Sequence, residues 1–217
     1  MTLAVQLVLL AKSPRPGRVK TRLCPPYTPV QAAGLAAAAI DDTLVAVLAT
    51  PAARRVVALD GEPGDWLPAG VEVIGQRGDG LDERLAAAFA DAWAGAALPT
   101  LLIGMDTPQV TPALLTAAAQ ALLARPGTAV LGPARDGGWW ALGLPRPDDR
   151  LLLGVPMSTA RTGAVQRRRL AAAGLGPVEL PELTDVDDAA TAREVAAAAP
   201  RSAFAAALAA VDSAWAA

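Results

Sequence analysis

The sequence predicts a single α/β domain, residues 1–217, with a mixed, mainly parallel sheet flanked by helices. Short apolar runs alternate with longer Ala-rich segments of helical periodicity, a pattern typical of α/β folds. The 19 prolines lie mainly between these segments and separate them. A length of 217 residues fits one such domain, and no stretch of the sequence resembles a linker long enough to divide it.

The first strand is the apolar run Leu3 to Leu10. Thr28 followed by Pro29 is typical of a helix start, because threonine caps free backbone amides and proline fits the first turn. A long Ala-rich helix is therefore predicted from Val30 to Leu48. The second strand, Arg54 to Asp60, ends at a turn rich in glycine and proline.

A short third strand, Val71 to Ile74, leads through a glycine-rich loop into a helix over Leu81 to Ala94. One face of that helix is apolar, with side chains spaced at Leu85, Phe89 and Trp93. The fourth strand, Pro99 to Gly104, is apolar throughout, as expected for a central parallel strand. A threonine-proline pair then starts a helix that runs from Thr111 to about Ala124.

The fifth and sixth strands are Ala129 to Leu131 and Trp139 to Leu144. Because the connection between them is short, we expect the sixth strand to form a hairpin or an antiparallel neighbour. The last third is predicted to be helical around a short strand, Pro177 to Leu180. Its helices are expected from Thr159 to Ala173, from Ala189 to Ala199 and from Ser202 onward.

The composition excludes several classes of chemistry. The chain contains no histidine, which removes Ser-His-Asp and Cys-His catalysis and histidine-based metal sites. Its one cysteine, Cys24, has no partner for an internal disulfide or a zinc site. No basic region precedes the first apolar run, so neither a signal peptide nor a membrane span is expected, and we predict a cytoplasmic protein.

The loop after the first strand, Ala11 to Leu23, carries five cations: Lys12, Arg15, Arg18, Lys20 and Arg22. Pro14, Pro16 and Gly17 prevent a regular helix there. A cationic loop at the carboxyl end of a strand suits a polyphosphate, although a solvated basic loop that touches nucleic acid is the alternative. No aromatic residue lies among the cations and the net charge is -2, so we favour the phosphate and predict no nucleic-acid partner.

Acidic residues recur where predicted strands end: Asp106, Asp136 and the pair Asp185 and Asp187. Carboxylates gathered at one edge of a sheet could hold a hard cation such as Mg²⁺ together with phosphate oxygens. Each residue also has a structural alternative. Asp106 and the late pair could cap the helices that follow them, and Asp136 could begin an Asp-Gly-Gly turn.

Five blocks of the sequence stand in a recognisable order: KSPRPGRVKTRL, GQRGDGLDERL, LLIGMDTPQVTPALL, LGPARDGGWWALGL and LTDVDDAATAREV. Together they resemble an incompletely characterised bacterial family of GT-A-fold proteins. This family is usually labelled glycosyltransferase or nucleotide-diphospho-sugar transferase, and it lies close to the 2-phospho-lactate and molybdenum-cofactor guanylyltransferases. The resemblance covers nearly the whole chain. It implies a Rossmann-like nucleotide-binding sheet with one antiparallel strand and a Mg²⁺ site, with Mn²⁺ as an alternative metal.

The resemblance also implies roles for individual residues. The nucleotide-phosphate loop would comprise Ala11, Lys12, Arg15, Gly17, Lys20 and Arg22. The metal would be held by Asp106, with Asp185 and Asp187 completing the site. A block placed near the base or sugar contains Gln76, Arg77, Asp79 and Arg84. The segments expected to face the acceptor contain Asp136, Gly137, Gly138, Trp139, Ser158 and Thr159.

The chain departs from the family pattern on the acceptor side. Trp139 and Trp140 stand where tyrosines are expected, and Met157 stands where tryptophan is expected before a Ser-Thr pair. The tryptophans could form a platform for a sugar or a ring, but alternation along a strand would also bury one of them. These departures concern the acceptor more than the nucleotide.

The first functional hypothesis is a Mg²⁺-dependent nucleotidyltransferase in which Lys20, Asp106 and Arg22 are catalytic. It would move a nucleoside monophosphate from a triphosphate to a small phosphorylated acceptor and release pyrophosphate. A glycosyltransferase with a nucleotide-sugar donor is the alternative, and a non-catalytic nucleotide-binding protein is a third. The base, the acceptor and the oligomeric state, including a homodimer, are left open by the sequence.

Overall fold

The apolar run at the amino terminus forms the middle of a seven-stranded sheet in the computed structural model, which describes residues 1–213. The last four residues of the predicted domain lie outside this range. Strand β1 (Leu3–Lys12) pairs in parallel with β2 (Ala52–Asp60) on one side and with β4 (Thr100–Gly104) on the other. Three of its central side chains, Leu7, Val8 and Leu9, have no exposed surface, because helices cover both faces of the sheet.

The strand order is β3-β2-β1-β4-β6-β5-β7. The other strands are β3 (Glu72–Gly75), β5 (Ala129–Pro133), β6 (Trp139–Leu144) and β7 (Pro177–Glu179). Strand β6 is antiparallel to both β4 and β5, whereas the remaining pairs are parallel. The antiparallel neighbour predicted from the short connection before β6 is therefore confirmed.

Within residues 1–213 the α-helices are α1 (Pro29–Ala49), α2 (Leu81–Gly95), α3 (Pro112–Leu123), α4 (Thr162–Ala172), α5 (Ala189–Ala198) and α6 (Ala203–Ser213). Helices α1 and α3 contribute to the core on one face, and α2 and α4 contribute to the core on the other. Helices α5 and α6 pack with α1 in a third cluster around Tyr27 and Phe204. Most bounds agree with the sequence prediction within one or two residues.

Helix α4 begins at Thr162, three residues later than predicted. The residues before it form a turn in which Ser158 has a φ of 55°. The Thr162 hydroxyl accepts a hydrogen bond from the Thr159 amide at 3.1 Å and donates one to the Pro156 carbonyl at 2.7 Å. These bonds provide the chain with an alternative to the first helical turn.

Within residues 1–213, α1 is the one helix that length and composition would allow to cross a membrane. However, 56% of its apolar window is buried inside the structure. Its inner face lies on the sheet side and its outer side packs against α6, as expected for a core helix. The cytoplasmic location stays a prediction.

Candidate functional site

The carboxyl ends of the parallel strands open onto a cleft of about 640 Å³. This is the edge at which open α/β sheets bind ligands, and the volume lies within the range of small-molecule sites. The loop after β1, the loop after β3, the turn after β4, the β5–β6 turn and the loop after β7 all reach it. The cleft therefore gathers the cationic and acidic segments that the sequence places far apart.

Lys20 lies at the junction of these segments. Its Nζ is 2.6 Å from Oδ1 of Asp106, and it also donates a hydrogen bond to the carbonyl of Val186. The Lys20 side chain is only 8% exposed, and its backbone adopts a left-handed conformation with a φ of 50°. One ammonium group thus joins the loops after β1, β4 and β7, at the cost of an unfavourable backbone conformation.

Besides Asp79, four carboxylates among the described residues line the cleft: Asp106, Asp136, Asp185 and Asp187. The structural alternatives for three of them do not hold. Thr111 caps α3 and Asp188 caps α5, so capping accounts for neither Asp106 nor the late pair. The loop that carries the pair is anchored beside Asp106, because the Val186 amide donates to the Asp106 carbonyl at 2.9 Å.

The carboxylates disturb one another's ionisation. Burial, together with the negative charges of Asp106 and Asp136, raises the pKa of Asp185 to about 7. Burial also raises the pKa of Asp187, although Lys20 opposes this effect. Within the described residues, Oδ1 of Asp185 is buried without a hydrogen-bond partner. The acidic end of the cleft therefore carries more negative charge than its own side chains neutralise.

Replacing Asp185 by asparagine should change how stability depends on pH. The raised pKa of Asp185 means that the folded chain holds this proton more tightly than the unfolded chain, so the contribution of Asp185 to stability falls as the pH rises from about 4 to about 7. We expect Asp185→Asn to be more stable than wild type at about pH 8, by at most roughly 4 kcal/mol, and almost equal below about pH 4. Urea unfolding without metal across this pH range measures the free energy of unfolding of both proteins. A difference between them that does not change with pH would contradict the raised pKa.

The donor set fits a divalent cation that is shared with a ligand. Hard cations prefer carboxylate oxygens, and Mg²⁺ in particular is often held by one or two carboxylates plus substrate phosphates. The unpartnered oxygen of Asp185 and the repulsion among the carboxylates match such an ion. In the described part of the chain, no group of three acidic side chains has the spacing of a complete metal cage, and Asp106 is engaged by Lys20. These carboxylates therefore suit an ion that the protein and a bound phosphate ligand hold together, and do not suit an ion held by protein side chains alone.

The cationic loop is only partly brought to the cleft. Ala11, Lys12, Lys20 and Arg22 line it as predicted, and Arg18 joins them. Arg22 lies 3.9 Å from Oδ2 of Asp187. Arg15 and Gly17 are exposed on the outer part of the loop and are not among the lining residues. Arg18 was counted in the cationic run but was not among the residues to which the resemblance gives a role.

The residues predicted to lie near the base or sugar, in the segment after β3, are also only partly brought to the cleft. Gln76, Asp79 and Arg84 line the cleft, and Arg84 lies 2.8 Å from Oδ2 of Asp60. The side-chain Nε2 of Gln76 donates to the carbonyls of Ala11 and Ala58, both at 2.9 Å, which joins the ends of β1 and β2. Arg77 instead pairs with Asp91 at 2.6 Å, away from the lining.

On the predicted acceptor side, Asp136, Gly138, Trp139 and Ser158 line the cleft, whereas Gly137 and Thr159 are not among the lining residues. Asp136 also makes the predicted turn, because its Oδ1 accepts from the Gly138 amide at 2.7 Å. Alternation along β6 buries one of the two tryptophans, as expected, and the platform role of the other stays a prediction. Trp139 borders the cleft, and Trp140 is 2% exposed with its Nε1 donating to the Pro181 carbonyl.

Gly137 shapes this turn through its backbone. Its φ is +88°, and a Cβ at this position would lie 2.3 Å from the Ala160 carbonyl oxygen. We expect Gly137→Ala to lower the free energy of unfolding by about 2–3 kcal/mol, since strain and a backbone clash add. Gly174→Ala is the matched control, because its φ is +74° and no described atom lies within 4 Å of a Cβ there. Urea unfolding measures both variants. If both lose the same free energy of unfolding, the backbone near Ala160 has moved and the expected clash adds nothing.

Gln109 was missed entirely by the sequence analysis. Its Nε2 donates to the Thr184 carbonyl at 2.7 Å, which ties the turn after β4 to the loop that carries Asp185 and Asp187. Its Oε1 is buried without a partner among the described residues. A glutamine three residues after Asp106 carries no recognisable signal in sequence, because its partner is 75 residues away.

Replacing Gln109 by leucine should therefore loosen the acidic loop. We expect Mn²⁺ to bind about tenfold more weakly, the usual cost of losing a group that orients metal ligands. Gln120→Leu, an exposed glutamine on α3, should leave Mn²⁺ binding unchanged. Titration followed by electron paramagnetic resonance measures both. A Gln109→Leu variant of reduced stability but unchanged Mn²⁺ affinity would assign this residue to folding alone.

Comparison with known proteins gives one family and a set of similar structures. The model of a family described as uncharacterized proteins conserved in bacteria matches residues 35–159. No curated protein matches the chain. A protein from Desulfovibrio desulfuricans G20, assigned as a nucleotide-diphospho-sugar transferase, is 26% identical with a TM-score of 0.77, and the match covers 87% of this chain and 84% of that one.

Two further structures share the fold at lower identity. CMP:2-keto-3-deoxy-manno-octonic acid synthetase in complex with CTP is 16% identical with a TM-score of 0.56, and the match covers 89% of this chain and 97% of that one. Rv0371c from Mycobacterium tuberculosis H37Rv, in complex with manganese, is 20% identical with a TM-score of 0.54, over 90% and 98% of the two chains. The similar structures include nucleotidyl and sugar transferases, and the shared fold confirms the predicted fold class. The predicted enzyme class, a transferase, agrees with the Desulfovibrio desulfuricans protein.

Proposed function

The chain belongs to the bacterial family DUF2064, and we propose that it is a divalent-metal-dependent nucleotidyltransferase. The reaction would move a nucleoside monophosphate from a nucleoside triphosphate to a small-molecule acceptor. An acceptor oxygen would attack the α-phosphorus, the bond from that phosphorus to the bridging oxygen would break, and pyrophosphate would leave.

The observation that carries this proposal is the buried Lys20 ammonium, 2.6 Å from Asp106, between a cationic loop and the carboxylates of Asp136, Asp185 and Asp187. Phosphoryl and nucleotidyl transfer depend on positioning and on charges placed around the phosphates, with little covalent chemistry from the protein. The cleft supplies these charges at one edge of the sheet. A chain without histidine has few other routes to group transfer.

The cationic side of the cleft would bind the triphosphate. Lys12, Arg18 and Arg22 line it with exposed side chains and can approach phosphate oxygens from solvent. Lys20 is held in place before the ligand arrives, so its charge needs no reorganisation during the reaction. Gln76, Asp79 and Arg84 lie beyond the loop and are proposed to contact the nucleoside.

Asp106, Asp185 and Asp187 are the residues proposed to hold the metal, either Mg²⁺ or Mn²⁺. A divalent ion would neutralise phosphate charge and help to orient the α-phosphate. The manganese complex of the similar Mycobacterium tuberculosis protein supports a divalent metal in this fold. Without the ion, Lys20 is the group that shields Asp106 from the other carboxylates.

Glycosyl transfer from a nucleotide sugar is the second candidate, favoured by the similarity to the Desulfovibrio desulfuricans protein. The two reactions release different products. Purified protein with Mg²⁺ and an acceptor pool from a bacterial extract of small molecules should release pyrophosphate from one nucleoside triphosphate. Release of nucleoside diphosphate from a nucleotide sugar, with no pyrophosphate from any triphosphate, would replace the proposal by the second candidate.

A further inference from the structure

The two halves of the cleft differ in charge. The half formed by the segments after β1 and β3 contributes every lysine and arginine among the lining residues: Lys12, Arg18, Lys20, Arg22 and Arg84. The opposite half, here called the far wall, consists of residues 136–139, 157–162 and 185–187. Within residues 1–213, the far wall places no lysine or arginine on the cleft. This separation follows from strand order, because β1, β2 and β3 lie on one side of β4 and β6, β5 and β7 on the other.

The arginines close to the far wall do not face the cleft. Arg135 precedes the turn and pairs with Glu194 at 2.5 Å. Arg161 lies in the segment before α4, is exposed, and is not among the lining residues. The charged groups that the far wall does present are carboxylates, namely Asp136, Asp185 and Asp187. A phosphorylated acceptor placed there would meet these like charges, and the two cations that reach them, Lys20 and Arg22, already lie 2.6 Å from Asp106 and 3.9 Å from Asp187.

The far wall also presents apolar surface. Trp139 and Met157 border the cleft, and both pack on the core under α2. Across from them, Leu81 at the start of α2 is 39% exposed and lines the same space. Two of these apolar residues stand where the sequence departs from the family pattern. An apolar cleft wall with a few polar groups is the usual lining of a site that binds an uncharged ring or chain.

We infer that the acceptor is an unphosphorylated alcohol with an apolar, ring-sized body that lies against Trp139 and Met157. This inference rests on the proposed nucleotidyl transfer and revises the phosphorylated acceptor expected from the sequence. The hydroxyl oxygen of the acceptor forms the new bond to the α-phosphorus, and pyrophosphate leaves with the electrons of the broken bond. The hydroxyl proton passes to a far-wall carboxylate, for which Asp136 is available at the cleft.

Binding of a matched pair of probes tests the inference without any need for turnover. Benzyl alcohol and benzyl phosphate have the same ring and differ in the phosphate. Saturation-transfer NMR is measured with Mg²⁺ and excess inorganic tripolyphosphate, which occupies the cationic half of the cleft. We expect transfer to benzyl alcohol, at least about tenfold weaker binding of benzyl phosphate, and loss of the benzyl alcohol signal in Trp139→Ala. Trp93→Ala, whose tryptophan lies on α2 outside the lining, is the matched control.

A gain-of-function variant completes the test. Met157→Arg places a cation on the far wall and should allow benzyl phosphate to bind in the presence of tripolyphosphate. Benzyl phosphate that binds the wild type as well as benzyl alcohol does would overturn the inference. So would the absence of transfer to either probe, or a signal that Trp139→Ala leaves unchanged. Failure of pyrophosphate release would count against the proposed function alone, since the NMR signal does not depend on it.

Discussion

Asp106→Asn should lower kcat by about 10³-fold, the largest effect expected of any single substitution in this chain. Asp106 stands directly after the central strand β4, and its Oδ1 is 2.6 Å from the buried Lys20 ammonium. The substitution keeps the shape of the side chain but removes the charge that would hold the metal and that pairs with Lys20. Steady-state pyrophosphate release at saturating triphosphate measures the change.

Asp60→Asn is a matched control for this variant. Asp60 also ends a parallel strand, its side chain is similarly exposed, and it lies 3.5 Å from the ammonium of Lys12. It is not among the residues that line the cleft, so we expect kcat to fall by less than about tenfold. Similar losses in the two variants would mean that strand-end carboxylates matter for folding and not for the reaction.

Lys20→Met should lower kcat by about 10²-fold, because one preorganised charge beside the phosphates is lost. Methionine preserves the apolar stem of the side chain, which is 8% exposed. The carboxylates would then lose the positive charge that reduces their mutual repulsion. Mg²⁺ or Mn²⁺ should therefore stabilise this variant against unfolding more than it stabilises the wild type. The chain offers one other lysine, Lys12, whose side chain is 51% exposed.

Lys12→Met is accordingly the control, with an expected loss in kcat of less than about tenfold. Its nearest carboxylate, that of Asp60, is also paired with Arg84 and keeps a counter-charge. An unchanged kcat for Lys20→Met at saturating substrate would remove Lys20 from the catalytic machinery. It would leave Lys20 as a link between the loops after β1, β4 and β7.

Much of the fold could be predicted because its signals are local. Thr28 and Pro29 mark the start of α1 by chemistry that acts within one turn, and the structure shows Thr28 as the predicted N-cap, with a capping box to Gln31 in addition. The short connection before β6 is also a local signal, because it allows an antiparallel neighbour and is too short for a parallel crossover. The order of the strands could not be predicted, because the placement of β7 beside β5 depends on contacts between distant segments.

In the candidate site, too, the features with local signals could be predicted and those that depend on long-range contacts could not. The acidic and cationic segments were predicted from composition and position, and Asp106, Asp185 and Lys20 do meet in one cleft. The roles of their neighbours depended on long-range partners that no local pattern reveals. Arg77 pairs with Asp91 on α2, and Gln109 binds the Thr184 carbonyl across the site. The uneven distribution of charge across the cleft required the strand order and was therefore visible only in three dimensions.

Metal-dependent nucleotidyl transfer is tested by calorimetric titration of nucleoside triphosphates and nucleotide sugars, with Mg²⁺ and with the metal removed by chelation. We expect one triphosphate to bind in the presence of Mg²⁺, and we expect chelation or Asp106→Asn to weaken this binding by at least about tenfold. Triphosphate binding that depends on neither the metal nor Asp106 would contradict this expectation, as would binding of nucleotide sugars with no binding of any triphosphate.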